Sequence, residues 1–227
     1  MAVQARGKFT RAQIVRAAAA MFDNRGYDGA SLSDVVDEAG ITKGALYFHF
    51  KSKSELASVV IDAQRRISMA ALDQIVEEHE ISPIGQIVMM SQELGRQIRW
   101  EPIVRAGIRL TLELSATSGP QEPYDDWLER CTELLGAAER IGQLVPGIDH
   151  ARTARFVIGA YTGVQLVSNV YTGRTDLEGR IDDMWAIVLP SFLPEDQHDT
   201  IPSLISCRWR PSTGESLLSD DFLDQSS

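Results

Sequence analysis

Three observations predict an all-α fold. Apolar residues recur at helical spacing from one end of the chain to the other, and no run sustains the alternation of a β-strand. Capping boxes stand at Ser31 (with Asp34) and Ser52 (with Glu55), each just ahead of an apolar-periodic run. Pro83, Pro102, Pro123 and Pro146 then divide the remainder into helix-sized pieces.

The elements follow in order. Thr10 is placed to cap a first helix reaching about Asn24, because Ile14, Ala17, Ala18, Met21 and Phe22 form one stripe, and Gly26 stops it. A short helix follows Ser31, with Leu32, Val35, Val36 and Ala39 on its inner side, and Gly40 ends it. Thr42 caps another short helix through Phe48. Behind Ser52, the residues Leu56, Val59, Val60, Ala63 and Ile67 keep the helical period, which fades near Glu80. Further helices start near Pro83, Pro102, Pro123, His150 and Asp176. From Glu195 onward Pro, Ser, Asp and Thr accumulate, so 195–227 reads as an acidic, disordered tail.

Composition excludes several classes of function. At 227 residues, 44% hydrophobic and 24% charged, the chain is an ordinary globular one. No apolar stretch is long enough for a membrane span, and Met1 to Thr10 lack the apolar core of a secretory signal. Two distant cysteines, Cys131 and Cys207, suit a reducing cytoplasm. The four histidines have no metal-ligand spacing, and no nucleotide-binding loop or nucleophile motif is present. The expectation is no metal, no cofactor and no catalysis. Charge is unevenly spread: residues 1–66 hold ten basic and seven acidic side chains, a net of +3, which leaves −13 of the chain's −10 to the rest. A mildly basic head on an acidic body is what an anion-binding module joined to another domain shows, although charge alone favours chance unevenness.

The pair of short helices from Ser31 to Phe50, joined through Ala39-Gly40-Ile41, forms a helix-turn-helix. Leu32, Val35, Val36, Ile41 and Leu46 pack its angle. Its second helix then presents Thr42, Lys43, Gly44, Ala45, Tyr47 and His49 outward. Gly44 and Ala45 are small enough for close approach to base edges, and Lys43 suits guanine acceptors in a major groove. Tyr47, His49 and Lys53 are within reach of flanking phosphates. As a bare pattern, an ordinary helical hairpin with a polar face fits as well.

The run GKFTRAQIVRAAAAMFDNRGYDGASLSDVVDEAGITKGALYFHFKSKSELA resembles the DNA-binding domain of the tetracycline-repressor (TetR) family, with Gly26-Tyr27, Gly40 and the stretch from Leu46 to Leu56 as its most specific parts. The runs from Thr42 to Gln64 and Pro102 to Glu113, with the Trp127 helix and the Met184-Trp185 helix, are further similar to the γ-butyrolactone autoregulator receptors of that family. The resemblance implies a three-helix DNA-binding domain (1–55) followed by a helical ligand-binding and dimerisation domain (56–194). It implies a homodimeric, ligand-responsive repressor on double-stranded operator DNA. Its ligand would be a γ-butyrolactone or related furan or butenolide, in control of antibiotic production or differentiation. A repressor with the same head that senses a drug or another apolar metabolite, for example to control efflux, is the alternative.

Such a ligand wants an apolar tunnel, an aromatic face and a few polar groups. Trp127 shares a stripe with Tyr124, Leu128, Cys131 and Leu135; spacing alone makes it a plain core residue, and the resemblance makes it a ligand-facing one. Gln64, an amide on an apolar stripe, pairs either with a ligand carbonyl or with a neighbouring helix. Tyr161 and Thr162 offer hydroxyls inside the apolar run Phe156 to Val170, to a ligand or to the core. Cys131 reads as apolar filler, and Trp100, Trp185 and Trp209 take no site role. For dimerisation the expected stripes are Val157, Ile158, Val164, Val167 and Val170, matched by Ile181, Met184, Trp185, Val188 and Leu189.

Overall fold

The structure, a computed structural model, is described for residues 2–77, 80–115 and 122–209. It is all helical, with no strand among the described residues. The helices are α1 (Ala2–Gly29), α2 (Leu32–Ala39), α3 (Lys43–His49), α4 (Lys53–Val76), α5 (Pro83–Trp100), α6 (Pro102–Ser115), α7 (Glu122–Arg140), α8 (His150–Thr172) and α9 (Leu177–Phe192). A 3-10 turn (Glu195–Thr200) and a short α10 (Ile201–Ile205) follow. The described residues divide into two units: those of 1–70 with 100–115, and those of 71–99 with 122–209. The first therefore groups most of α4 and all of α6 with the N-terminal head.

Within the first unit, Ile14, Val15, Ala18 and Phe22 of α1 are buried together with Val35, Val36, Leu46, Phe50, Leu56 and Val60. Ser31 caps α2 through a complete capping box, its hydroxyl accepting from the Asp34 amide while the Asp34 carboxylate accepts from the Ser31 amide. The Ser31 hydroxyl also donates to the Asp34 carboxylate at 2.6 Å, and this bond first, then the one from the Ser31 amide, holds the Asp34 carboxyl below its ordinary value. Gly40 takes the left-handed conformation (φ 63°) that ends α2 at no steric cost. Thr42 caps α3 by accepting from the Ala45 amide. The box at Ser52 is altered: Ser52 Oγ accepts from the Glu55 amide, but the Glu55 carboxylate reaches back to the Lys51 amide instead. The first helix starts eight residues ahead of Thr10, which lies inside it; the chain kinks at Gly26 (φ 74°) and resumes to Gly29.

In the second unit α5 is buried along almost its whole length. Trp185 of α9 is the largest fully buried side chain, and its indole donates to Ser91 Oγ at 2.8 Å. Asp149 and Gly173 cap the two ends of α8. Cys131 is buried as apolar filler, and burial pushes its thiol up to about 12. The expected disordered tail differs over 195–209, which folds back as the 3-10 turn and α10. Leu204 and Trp209 are buried, and Arg208 Nη2 donates to both carboxylate oxygens of Asp182 at 2.9 Å, where Gln92 joins from α5. Two apolar anchors and a charged clasp thus outweigh a polar composition; 210–227 lie outside the described residues, as do Glu78 and His79.

Candidate functional site

On the helix-turn-helix, Val35, Val36 and Leu46 are buried in the angle, and Leu32 and Ile41 are half-buried. Thr42, Lys43, Gly44 and Tyr47 are exposed, while Ala45 and His49 are half-buried. One end of α3 thus presents a hydroxyl, an ammonium and a gap left by Gly44, and its far end presents aromatic side chains. Phe48 is the residue that sequence reasoning missed. It is 83% exposed, the highest value among the large hydrophobic side chains described, and stands edge-on to His49 at 5.1 Å. The signal was available, since Phe48 lies two positions from buried Leu46 and so points away from the core. An exposed aromatic there suits sugar or thymine methyl contacts.

Lys53 is placed differently from the other candidates. Its ammonium donates to the carbonyl oxygens of Tyr27 (2.8 Å) and Ala30 (3.1 Å) and lies over the Tyr27 ring. The same corner is held from α2 by the Arg25–Asp34 ion pair (2.8 Å). Gln13 Nε2 donates to the Ala39 carbonyl at 2.6 Å and ties α1 to the turn. The cations of the head are thus split: Lys43 faces outward and Lys53 braces the scaffold behind it.

Of the ligand candidates, Gln64 is 3% exposed, and its Nε2 donates to Ser68 Oγ at 3.2 Å. Its Oε1 is buried without a partner. Gly107 of α6 lies directly on it: a Cβ there would stand 2.3 Å from the Gln64 Cβ. Trp127 is half-buried on α7, on the stripe that buries Cys131 and Leu135. Tyr161 is buried on α8 with its hydroxyl unpaired, and burial raises its pKa far above the phenol range. Thr162 is half-buried. Gln92 and Gln165, which sequence reasoning passed over, are also buried with Oε1 unpaired. An open groove of about 300 Å³ on the second unit is lined by Leu128, Glu129, Thr132, Glu133, Ala151 and Arg155, and none of the four candidates lines it. Among the described residues no group of His, Cys, Asp or Glu is arranged to hold a metal, and no helix is long and apolar enough to cross a membrane.

The expected dimer stripes need correction. Ile181, Met184, Trp185, Val188 and Leu189 are buried within their own unit, as is Val157, because α9 packs on α8 and the core needs that face. Ile158 and Val164 are half-buried. Val167 and Val170 are exposed as expected, joined by Phe156, Leu166, Tyr171 and Ile187.

A three-helix head with an outward-facing second helix, joined to a helical body, defines a helix-turn-helix transcriptional regulator. The chain belongs to the tetR family of bacterial regulatory proteins: the model of its N-terminal domain matches residues 14–60, and that of the tetracyclin repressor-like C-terminal domain matches 81–194. Members of this family are DNA-binding regulators, not enzymes. The chain is 38% identical to the A-factor receptor protein of Streptomyces griseus over 192 residues, 85% of this chain and 67% of that one. A crystal structure of a γ-butyrolactone receptor (ArpA-like protein) superposes with a TM-score of 0.76 at 29% identity, covering 88% of this chain and 96% of the other. CprB from Streptomyces coelicolor, solved with its operator sequence, superposes with a TM-score of 0.70 at 30% identity over the same shares.

Proposed function

We propose that the chain is a cytoplasmic, homodimeric repressor that reads operator DNA through α3 and leaves it when a γ-butyrolactone or related furan or butenolide binds the helical body. The observation that supports this reading is that the likeness to the A-factor receptor runs far past the head, over 85% of the chain. Thr42, Lys43, Gly44, Ala45, Tyr47 and His49 approach base edges and phosphates, with Phe48 beside them. Lys53 acts on DNA chiefly by bracing the head. Gln64, Trp127, Tyr161 and Thr162 are the ligand-touching residues; the unpaired Oε1 of Gln64 gives this reading a physical motive, since a buried acceptor without a donor costs about 1–3 kcal/mol. The exposed apolar residues of α8 and Ile187 of α9 form the surface that pairs two copies.

Lys53 and Gln64 share one helix, about 16 Å apart at 1.5 Å per residue. Half-sites recur about every 34 Å along DNA, so a small displacement of paired heads loses both contacts together. A preference of the ligand for the displaced state by about 1–3 kcal/mol lowers operator affinity 5- to 150-fold. The test is a gel shift on the DNA upstream of the protein's own gene, challenged with a panel of 2-acyl-γ-butyrolactones and a panel of efflux-pump drugs. Release by a lactone and not by drugs is expected. Release by drugs alone overturns the lactone reading, and no binding to any promoter overturns the repressor reading.

A further inference from the structure

Two polar groups of α8 are buried in the second unit without partners. Tyr161 and Gln165 stand four residues apart, one turn from each other on the inner face of the helix. The Tyr161 hydroxyl and Gln165 Oε1 are both out of reach of solvent, and neither makes a hydrogen bond. Leaving such groups unpaired costs free energy, and a neutral molecule with complementary hydrogen-bonding groups removes that cost. Neither residue lines the open groove of this unit, so a ligand reaches them only if something in front of them moves.

The seam between α5 and α9 stands in front of Tyr161. At Gly95 the two helices meet so closely that a Cβ would lie 2.6 Å from Ile181 Cδ1 and 3.8 Å from the Tyr161 hydroxyl. One turn back along α5, Ser91 Oγ accepts from the Trp185 indole at 2.8 Å, and Gln92 Nε2 donates to Asp182 Oδ1 at 2.6 Å. Ile181 therefore faces Tyr161 from inside the seam, and its neighbour Asp182 closes the seam with Gln92.

Residues 195–209 form a strap over this closure. Gln197 Nε2 donates to the Gly142 carbonyl at 2.9 Å, and Leu204 Cδ2 stands 3.6 Å from where a Gly85 Cβ would be. Arg208 Nη2 then donates to the carboxylate that Gln92 holds from α5. One carboxylate thus ties α9, α5 and the strap together. The tie is a light one. The Arg208 and Asp182 side chains are 37% and 34% exposed, and an exposed ion pair contributes little. Trp209 beside it is buried with its indole N–H unpaired, a bond that it regains in water. A segment held this way opens locally, well before its unit unfolds. The strap also lies past residue 194, where the match to the C-terminal domain of the family ends.

We propose that Tyr161 and Gln165 are reached from outside between α5 and α9, and that the strap is the door on that route. Its opening takes Arg208 from Asp182 and leaves the seam held by α5 and α9 alone. The molecule admitted is neutral and carries hydrogen-bonding groups for the Tyr161 hydroxyl and Gln165 Oε1. That this molecule is the lactone rests on the proposed role of Tyr161; the door does not.

The door is tested without a ligand. Tyr161→Cys in the full chain, combined with Cys131→Ala and Cys207→Ser, leaves one thiol, placed behind the seam. Its labelling by methyl methanethiosulfonate is followed by mass spectrometry. Adding Arg208→Gln with Leu204→Ala is expected to speed labelling at least tenfold. Adding Leu135→Ala instead, a core truncation on α7, is expected to lower the Tm and leave the labelling rate unchanged. An unchanged rate in the strap variant overturns the proposal. So does equal acceleration by Leu135→Ala, because the thiol then reports general loosening.

The ligand arm uses 2-octanoyl-γ-butyrolactone and stopped-flow tryptophan fluorescence. In the otherwise wild-type chain, Arg208→Gln is expected to raise the association and dissociation rates several-fold together, with Kd within twofold of wild type, as a door requires. Arg208→Lys is expected to keep the wild-type rates. Wild-type rates in Arg208→Gln, or a weaker Kd with an unchanged association rate, overturn the ligand link. If wild type itself does not bind the lactone, the lactone reading falls, and the labelling series still decides whether the strap is a door.

Discussion

The Lys53 ammonium lies 4.4 Å from the centroid of the Tyr27 ring and donates to the Tyr27 carbonyl oxygen at 2.8 Å. A cation with a ring beneath it and two carbonyls before it is part of the scaffold. Lys53→Met is expected to lower the Tm by several degrees, given a loss of about 1–3 kcal/mol for a charge-assisted bond together with cation–π attraction. The salt dependence of operator binding should stay near the wild-type slope. A slope shallower by a full phosphate contact, with unchanged Tm, would make Lys53 a DNA contact instead.

Lys43 gives the opposite pattern. It is exposed at the start of α3, so Lys43→Ala is expected to leave Tm unchanged and weaken operator binding by about 1–3 kcal/mol. Comparing operator variants checks its role: loss confined to one base pair marks a base contact, while uniform loss with a slope reduced by about one marks a phosphate contact.

The outward side of α8 is tested by charge. Val170 is 80% exposed and Ile187 78%. Val170→Asp with Ile187→Asp should keep the monomer fold, since neither side chain is in the core, and should shift the mass by light scattering from dimer to monomer. Operator affinity should collapse with it, because one head alone holds a single half-site. A dimer of undiminished stability would place the interface elsewhere.

Asp176 supplies the pH prediction. The Ser168 hydroxyl first, then the Thr172 hydroxyl and Arg180, hold its carboxyl well below the ordinary range. A depressed carboxyl stabilises the fold above its unfolded pKa of about 3.9 and loses that contribution as pH falls through the lower folded value. Asp176→Asn is therefore expected to melt below wild type at pH 7. The gap should narrow as pH drops below about 4, which parallel thermal melts across pH will show.

The helix-turn-helix was readable from local chemistry: Ser31, Gly40 and Thr42 each satisfy or terminate backbone groups within a few residues, so their spacing marks the elements. The start of α1 was not readable, because Thr10 has the chemistry of a cap and nothing local says that the helix extends upstream of it. The scaffold contacts of Lys53 were hidden for a related reason. A lysine at a helix start looks like a phosphate ligand until the carbonyls of Tyr27 and Ala30, more than twenty residues earlier, are seen in front of it.

Periodicity finds an apolar face without saying what covers it. It marked the stripes of α8 and α9 but could not say that Trp185 buries against Ser91 while Val170 stays outside, nor that Leu204 and Trp209 draw a polar C-terminal stretch back onto the body. Helix type, helix ends and the outward side of α3 are short-range properties, written in spacing and capping. The meeting of Gln92, Asp182 and Arg208, the seat of Gly107 on Gln64 and the split between Lys43 and Lys53 join residues far apart in the chain. Their energies exist only once packing has brought those atoms together.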